Sequence, residues 1–405
     1  MKINMPQAAQ DIINTLTEHG YEAYIVGGCV RDVVLGRQPE DWDITTSAPP
    51  LTVKNLFRRT VDTGLKHGTV TVMLGKTGYE VTTYRIDGEY RDGRHPDSVE
   101  FTANLLEDLK RRDFTINAMA YNDKEGIVDA FNGLGDIERK VVRCVGNASH
   151  RFTEDALRMM RAIRFSAQLS FDIEEDTGNA VRKLSHTISK VSAERIQTEL
   201  TKTLCSGHPD YVFLFEDYGL SPYILPVLDR LTKAGKRELS KRILLNLPSD
   251  TVLRYAALLY DEGESEAEKV LRELRFDNRT VSAVSKLAMY AKLPLVNDEA
   301  KIRKNLNICG PDIYEKLLLL REAISIAVCE DTQIYEDIRS TLNMIFERGD
   351  CYSLSMLKFS GKDLIAMGIK DGKQIGYILN VLLDEVIEHP EKNDFEPLKA
   401  MAKCS

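Results

Sequence analysis

The chain has 405 residues, of which 43% are apolar and 29% charged, and its formal net charge is −8. This length favours two to four domains over one core, and the absence of any run of 18 apolar residues argues against a membrane-spanning helix. Seven scattered cysteines without a Cys-x-x-Cys pair argue against a disulfide framework and a zinc site. We therefore expect a protein of the reducing cytoplasm.

The first 145 residues show strand and helix patterns in alternation. Apolar residues at helical spacing predict helices over 7–19, 30–36 and 50–57, and apolar or β-branched runs predict strands over 21–26, 41–45, 69–74 and 79–84. The last two strands form a hairpin around a Gly-Lys-Thr-Gly turn. The polar segment 87–98 has no apolar period, so we expect a mobile loop there. Short strands over 127–128 and 141–143 end this α/β part.

Beyond residue 153 the sequence carries almost no strand pattern. A period of 3.6 residues predicts helices over 156–169, 193–205, 251–261, 265–274 and 313–326. Between positions 139 and 164 there are seven basic residues and two acidic ones, a local charge of +5. An acidic chain can therefore still present a basic surface to nucleic acid.

Two carboxylates, Asp41 and Asp43, are the most informative pair in the sequence. A strand places residues i and i+2 on one face, roughly 6.6 Å apart. Two carboxylates on one face repel each other unless a cation lies between them, and a hard divalent ion such as Mg²⁺ is the natural candidate. Gly27-Gly28 follows an apolar strand and precedes a helix, a geometry that offers N–H groups to phosphate. Alone, Asp-x-Asp is usually a solvated turn; together with Gly-Gly-x-x-Arg-Asp it indicates a phosphate and metal site.

Two further groups leave alternatives open. Glu80, on the second hairpin strand, is either a third metal-binding carboxylate or the cross-strand partner of a lysine. Arg112-Asp113 is either an ordinary charged helix surface or a contact in which Arg binds phosphate and Asp accepts from a ribose hydroxyl.

Asp155 and Arg158 lie three residues apart at the start of a predicted helix, so their side chains should share one face. The ordinary interpretation is an intrahelical salt bridge. The alternative is base selection, because a carboxylate accepts from the amino group of cytosine or adenine while a guanidinium donates to a ring nitrogen or O2. Uracil would turn its O4 acceptor toward the carboxylate and be rejected.

Five segments, in this order, resemble the motifs of class II tRNA nucleotidyltransferases, which share a polymerase-β-like head with bacterial poly(A) polymerases. The segments are VGGxxRD at 26–32, DxD at 41–43, RRDFTINA at 111–118, EDxxRxxRAxRF at 154–165 and SAERI at 192–196. The resemblance covers about residues 21 to 200. It implies an α/β polymerase-β-like nucleotidyltransferase head over 1–145, followed by an all-α neck over 146–205, body over 206–310 and tRNA-binding tail over 311–405.

The resemblance also implies a role for each candidate site residue. Asp41 and Asp43 would hold two Mg²⁺ ions, with Glu80 as the open third ligand. The other implied contacts are Gly27, Gly28 and Arg31 for the triphosphate, Arg112 and Asp113 for ribose and phosphate, Asp155 and Arg158 for the nucleobase, and Arg161 and Arg164 as additional residues of the nucleotide site.

The activity implied by the resemblance is template-independent addition of CCA to the 3′ end of tRNA from CTP and ATP. The loop over 87–98 resembles the flexible loop that accompanies A addition in this family. An A-adding specialist and a poly(A) polymerase remain alternatives with the same head. An inactive RNA-binding protein, or a nucleotidyltransferase of small molecules or proteins, fits less well. We expect tRNA lacking its CCA end as partner, with no membrane and no protein partner.

Overall fold

The computed structural model describes residues 2–88 and 98–403. The chain divides into two compact units, Met1–Arg230 and Leu231–Ser405. The first combines helices with a mixed sheet and the second is helical, so the expected α/β head with an all-α remainder is confirmed. The fourfold division at 145, 205 and 310 stays a prediction.

The first unit is built on a seven-stranded mixed sheet. The strands of the described chain are β1 Ala23–Val26, β2 Ile44–Thr46, β3 Thr60–Gly64, β4 Thr69–Leu74, β5 Thr77–Thr83, β6 Arg85–Asp87, β7 Val99–Phe101, β8 Ala120–Asn122, β9 Gly126–Val128, β10 Val141–Val142 and β11 Asp172–Ile173. The order in the large sheet is β3-β4-β5-β2-β1-β8-β9. β1 pairs antiparallel with β2 and β8, whereas β2 and β5 are parallel. All four residues of β1 are buried, as an apolar strand at the centre of a sheet requires.

Helices flank this sheet and then extend the first unit. They are α1 Gln7–Glu18, α2 Gly28–Val34, α3 Pro50–Leu56, α4 Leu105–Lys110, α5 Gly133–Arg139, α6 Ala148–Glu154, α7 Leu157–Leu169, α8 Glu175–Leu184, α9 Ala193–Leu204, α10 Leu214–Asp217, α11 Ser221–Ile224 and α12 Val227–Lys233. In α1 the apolar positions Ile12, Ile13 and Leu16 are buried, as their spacing predicts. Burying each such side chain contributes about 1.5–3 kcal/mol.

Three details differ from the sequence-based expectation. The strand predicted over 41–45 is only Ile44–Thr46, so Asp41 and Asp43 precede it; the N–H of Val26 still donates to the Asp43 carbonyl at 2.9 Å. Positions 89–97 of the predicted loop lie outside the described residues, and its flanks pair antiparallel as β6 and β7. A two-residue strand, β11, occurs where helices alone were expected, and it pairs in parallel with β10.

The second unit consists of helices, and two apolar clusters lie among those from Glu299 onward. The helices are α13 Arg237–Leu245, α14 Thr251–Leu259, α15 Glu264–Glu273, α16 Asn278–Tyr290, α17 Glu299–Cys309, α18 Pro311–Ala327, α19 Gln333–Arg348, α20 Gly361–Ala366, α21 Gly372–Glu388 and α22 Phe395–Ala402. One cluster centres on Tyr314 and Ile338, the other on Leu382 and Leu398. Over the described residues, no helix combines the length and apolar character needed to cross a bilayer.

Candidate active site

The glycine pair lies at the turn between β1 and α2. Gly27 has φ +83°, a conformation that glycine adopts without a steric penalty. A Cβ there would lie 3.0 Å from Nη1 of Arg112. The Gly27 N–H donates to the Met119 carbonyl at 3.1 Å, and Gly28 is the first residue of α2. The turn therefore needs glycine for its backbone angle and for the close approach of an arginine.

Arg31 is the middle residue of α2 and follows Gly28 by three positions. Its side chain is largely buried, and its Nη1 donates to Oδ1 of Asn117 at 2.6 Å while its Nε donates to Oδ1 of Asp32 at 2.9 Å. The guanidinium is thus held by a neutral amide on one side and a carboxylate on the other. It keeps its positive charge next to the glycine turn.

Asp41 and Asp43 open into the same cavity as Gly28 and Arg31, with a volume of about 580 Å³. Partial burial raises the pKa of Asp43, the negative charge of Glu80 raises it further, Arg112 opposes the rise, and Asp41 adds to it. Negative charge is therefore concentrated here in groups that carry oxygen donors. This environment fits a hard divalent cation.

Glu80 lies on β5 beside this pair. Its cross-strand neighbour on β4 is Thr71, so the alternative of a lysine partner is wrong. Because β2 and β5 pair with Ile44 opposite Val81, one step back along each strand brings Glu80 next to Asp43. Within residues 2–88 and 98–403, no three acidic, histidine or cysteine side chains converge as a metal-binding group. Glu80 as a third ligand stays a prediction.

Arg112 is positioned by a fully buried carboxylate, Asp108 of α4. Asp108 accepts from Nε and Nη2 of Arg111 at 2.9 and 2.7 Å, from Nη2 of Arg112 at 3.3 Å and from the Thr45 hydroxyl at 3.2 Å. Burial alone would raise the pKa of Asp108, but the two arginines lower it. Arg112 therefore faces Gly27, where a phosphate contact was predicted.

Asp113 uses both carboxylate oxygens within the protein. Oδ1 accepts from the Phe114 N–H at 2.8 Å and from Nδ2 of Asn117 at 3.2 Å, and Oδ2 accepts from Nε of Arg161 at 2.8 Å. Although burial opposes ionisation, Arg161 and Asn117 lower the pKa of Asp113 to about 2. The observed contacts show a residue that positions others; its predicted contact with ribose or phosphate stays a prediction.

Asp155 lies between two helices and not inside one. α6 ends at Glu154 and α7 begins at Leu157, where Oδ1 of Asp155 accepts from the Leu157 N–H at 3.0 Å. Oδ2 accepts from Nη2 of Arg195 at 2.7 Å. The prediction placed Asp155 in the first turn of its helix, whereas the structure places it two residues before Leu157, the first residue of α7. An Asp side chain that bonds to a following backbone N–H favours this position just before a helix.

Arg158 pairs with Glu154, four residues before it, where the ordinary interpretation expected a salt bridge with Asp155. Its guanidinium donates to the carboxylate of Glu154 and to the carbonyls of Arg151 at 3.1 Å and Arg111 at 3.3 Å. Asp155 nevertheless lies just before the first turn of α7, and Arg158 lies within that turn. An anchored acceptor and an anchored donor therefore lie at one end of this helix.

Arg161 and Arg164 continue along α7 around a phenylalanine. The Cζ atoms of Arg164, Arg31 and Arg161 lie 4.3, 5.1 and 5.3 Å from the centre of the Phe165 ring. Arg164 pairs with Glu199 at 3.1 Å, at an angle that is not that of a hydrogen bond. Burial lowers the pKa of Arg164 to about 10, so it remains charged at neutral pH. Arg164 and Phe165 line the cavity that contains Asp41 and Asp43.

Three contributing residues had no role predicted from the sequence: Asn117, Asp108 and Phe165. Asn117 and Phe165 lie inside the motif segments. Arg195 differs, because the resemblance implies that Glu194 and Arg195 support the helix at 154–165, and Arg195 does contact Asp155 at 2.7 Å. Asp108 could have been found, because it precedes Arg111 and Arg112 by three and four residues, the spacing of helical ion pairs.

Family models match most of the chain in three stretches. The Poly A polymerase head domain matches residues 23–143, the probable RNA and SrmB-binding site of polymerase A matches 170–232, and the putative tRNA nucleotidyltransferase domain 2 matches 248–402. The first stretch contains the glycine turn and both aspartates of the cavity. The second begins just after α7.

Curated relatives are similar over nearly the whole chain. The CCA-adding enzyme of Ligilactobacillus salivarius is 37% identical over 98% of this chain and 95% of its own length. The CCA-adding enzyme of Lactobacillus delbrueckii subsp. bulgaricus is 48% identical over 95% of this chain and 94% of its own.

Solved structures share the fold. The CCA-adding enzyme of Bacillus stearothermophilus in complex with CTP superposes with a TM-score of 0.84 at 31% identity, covering 98% of this chain and 97% of that one. The Thermotoga maritima CCA-adding enzyme complexed with tRNA has a TM-score of 0.64 at 20% identity, over 98% of this chain and 95% of its own, which shows the fold alone.

Proposed function

The chain belongs to the family of CCA-adding enzymes, and we propose that it adds C, C and A to the 3′ end of tRNA from CTP and ATP. The observation that carries the proposal is the shared cavity of Asp41, Asp43, Gly28 and Arg31. It occurs in a chain that is 31% identical, over nearly its whole length, to an enzyme solved with CTP.

The proposed reaction is an in-line displacement at the α-phosphorus of the nucleotide. A bond forms from the 3′-oxygen of the RNA to phosphorus, and the bond to the bridging oxygen of the β-phosphate breaks, so pyrophosphate leaves. The cation at Asp41 and Asp43 is divalent in our proposal, and Mg²⁺ is the expected ion because the ligands are hard oxygens. When bound, it supplies activation of the 3′-hydroxyl and stabilisation of the triphosphate charge.

The chain's own groups bind and orient the nucleotide. The Gly27–Gly28 backbone and the guanidiniums of Arg31 and Arg112 receive the triphosphate oxygens, since all lie around the glycine turn. Arg31 is fixed by Asn117 and Arg112 by Asp108, so both cations are oriented before the nucleotide arrives. Such prior orientation stabilises developing negative charge without reorganisation during the reaction.

Base selection is proposed for Asp155 and Arg158. The carboxylate would accept from the amino group of C or A, and the guanidinium would donate to a ring nitrogen or O2. Arg195 holds Asp155 at 2.7 Å, so Arg195→Gln should loosen the acceptor. We expect misincorporation of UMP to rise about tenfold relative to CMP, measured with labelled UTP and CTP on tRNA lacking CCA. Arg182→Gln, the same substitution at an arginine of α8 that contacts Tyr218, is the control. An unchanged ratio in Arg195→Gln would exclude the role.

The tRNA is proposed to lie along the helical part of the chain, with the tail over 311–405 contributing contacts. Support comes from the tRNA nucleotidyltransferase domain 2 match over 248–402 and the RNA-binding site match over 170–232. The end of the head match at residue 143 supports the proposed boundary between head and neck at 145. The proposed boundaries at 205 and 310 rest on the resemblance alone. The cytoplasm is the compartment that we propose for this reaction.

The deciding experiment supplies purified protein and Mg²⁺ with tRNA transcripts that end before CCA or after CC. Labelled CTP and ATP are added singly or together. Incorporation of C, C and A followed by arrest supports the proposal, and its loss in Asp41→Ala and Asp43→Ala places the metal-binding carboxylates. Extension of the CC-ended transcript alone, by one A, identifies an A-adding specialist.

A poly(A) polymerase is the second candidate, because the head over residues 23–143 matches the poly(A) polymerase model. It would lengthen arbitrary RNA with ATP alone and would not stop after one residue. That result, in the same assay, would contradict CCA addition.

A further inference from the structure

Phe165 lies on α7 at the wall of the cavity that contains Asp41 and Asp43. Its side chain is buried apart from the part that borders the cavity, with 6% of the residue exposed. The ring of Phe165 packs against the ring of Phe114. The two ring centres lie 5.7 Å apart, and the interplanar angle is 80°. This contact fixes the orientation of the Phe165 ring.

Three guanidiniums surround the same ring. Those of Arg164, Arg31 and Arg161 lie 4.3, 5.1 and 5.3 Å from its centre, all within the range of a cation–π contact. Arg31 comes from α2 and the other two from α7. One aromatic side chain is therefore shared by arginines from two separate parts of the first unit.

Three positively charged guanidiniums placed close together repel one another. Burial lowers the pKa of Arg164, and the charges of Arg161 and Arg31 lower it further, while Glu199 and Asp113 act in the opposite direction. Each arginine has one acidic partner: Asp32 for Arg31, Asp113 for Arg161 and Glu199 for Arg164. The three ion pairs involve three different carboxylates, whereas the Phe165 ring is common to all three guanidiniums.

An aromatic ring can attract guanidiniums without the formal charge that a carboxylate carries. Its face carries partial negative charge, which attracts a guanidinium without adding a formal negative charge that would repel phosphate. An aliphatic side chain of similar volume would fill the space but would leave the three cations to repel each other. A carboxylate in that place would neutralise the positive field.

We propose that Phe165 is a positioning residue for nucleotide binding: its ring gathers Arg31, Arg161 and Arg164 and directs their charge to the triphosphate of the incoming nucleotide. The inference rests on the proposed function and deepens it. Phe165 touches none of the reacting atoms in this role; it acts through the three arginines.

The test replaces Phe165 with a series of ring-fluorinated phenylalanines, from one to three fluorines. Fluorination weakens the cation–π attraction stepwise and leaves the shape of the ring almost unchanged. We expect KM for CTP and for ATP to rise steadily to about tenfold with three fluorines, a loss of about 1.4 kcal/mol in binding. We expect kcat to change less than about twofold, because binding common to ground state and transition state is lost.

Two further variants and a control accompany the series. Phe165→Tyr, which keeps the ring, should retain KM near the wild-type value, and Phe165→Leu should show the largest increase. The same fluorinated residues at Phe152, a buried ring of α6 with no guanidinium over it in the described structure, should leave KM unchanged.

A KM that stays constant across the fluorinated series overturns the proposal, and Phe165 then only packs against Phe114. Equal KM changes at Phe152 would also overturn it. Because the fluorinated proteins keep the ring's shape, the result does not depend on whether Phe165→Leu folds. Activity of the wild-type protein in the same assay tests the proposed function separately.

Discussion

Replacing Asp113 with Asn removes one charge from an ion pair that lies between the sheet and α7. In the wild type, Oδ2 of Asp113 accepts from Nε of Arg161 at 2.8 Å and lies 2.6 Å from its Nη2, and Oδ1 accepts from Asn117 and from the Phe114 N–H. Asn preserves the shape and one acceptor but leaves Arg161 without its anionic partner. The perturbation is therefore electrostatic, with little change in packing.

Two arguments bound the size of the effect, one from the pKa of Asp113 and one from the cost of breaking a buried ion pair. The pKa of Asp113 falls from its ordinary 3.8 to about 2, and at about 1.4 kcal/mol per pKa unit this is a stabilisation of about 2 kcal/mol. Breaking a fully buried ion pair costs about 3–5 kcal/mol. Since 32% of the Arg161 side chain remains exposed, solvent screening reduces that cost. We therefore expect Asp113→Asn to lower the free energy of unfolding of the first unit by about 2 kcal/mol.

The assay is urea unfolding followed by tryptophan fluorescence. The chain contains a single tryptophan, Trp42, so the signal reports on the first unit alone. Asp62→Asn is the matched control, because Asp62 pairs with Lys54 at 2.9 Å on the surface. An exposed pair of this kind contributes about 0–1 kcal/mol.

The pH dependence gives a second check. The pKa of Asp113 is lower in the folded than in the unfolded state, so its contribution is complete above about pH 4 and is lost as pH falls toward 2. The stability difference between wild type and Asp113→Asn should shrink over that interval. A difference below about 0.5 kcal/mol at pH 7, no larger than that of Asp62→Asn, would refute the buried ion pair as a stabilising contact.

Two more predictions concern the glycine turn and the carboxylates. Gly27→Ala and Gly20→Ala both place a Cβ at positive φ, +83° and +85°, and each should cost about 1 kcal/mol of stability. Only at Gly27 does the new Cβ meet Arg112, so KM for CTP and ATP should rise in Gly27→Ala and not in Gly20→Ala. Glu80→Gln removes a charge that raises the pKa of Asp43, so in metal-free protein the NMR titration of Asp43 should move to lower pH. An unmoved titration would mean that Glu80 lies too far from Asp43 to bind the same ion.

Local sequence patterns predicted the parts of the fold that local chemistry determines. The apolar spacing of α1, the β-branched run of β4 and the 3.6-residue period of α7 each appear in the structure close to the predicted bounds. Asp41 and Asp43 lie at one cavity with Gly28 as expected. Because β1 and β2 are antiparallel, the residues that precede β2 lie at the same edge of the sheet as the glycine turn that follows β1.

Partners distant in sequence could not be predicted in this way. Asp155 was assigned to a helix because its neighbours have helical periodicity, but Arg195, 40 residues later, holds its carboxylate at 2.7 Å. The sequence left a lysine across the hairpin as one alternative partner of Glu80, but the cross-strand neighbour of Glu80 is Thr71. The register of a hairpin follows from the bonding of its turn, and a shift of one position changes every cross-strand neighbour.

Hydrogen bonds join four side chains in a row: Arg31, Asn117, Asp113 and Arg161. Arg31 belongs to the proposed triphosphate site and Arg161 to the helix that begins with the proposed base-selecting pair. Because each member uses a directed hydrogen bond, a shift of α7 moves the donor that Asp113 accepts from and, through Asn117, the orientation of Arg31. Under the proposed function, these four side chains connect base selection with phosphate binding. We therefore expect that a mismatched base that displaces α7 also weakens the binding of its own triphosphate.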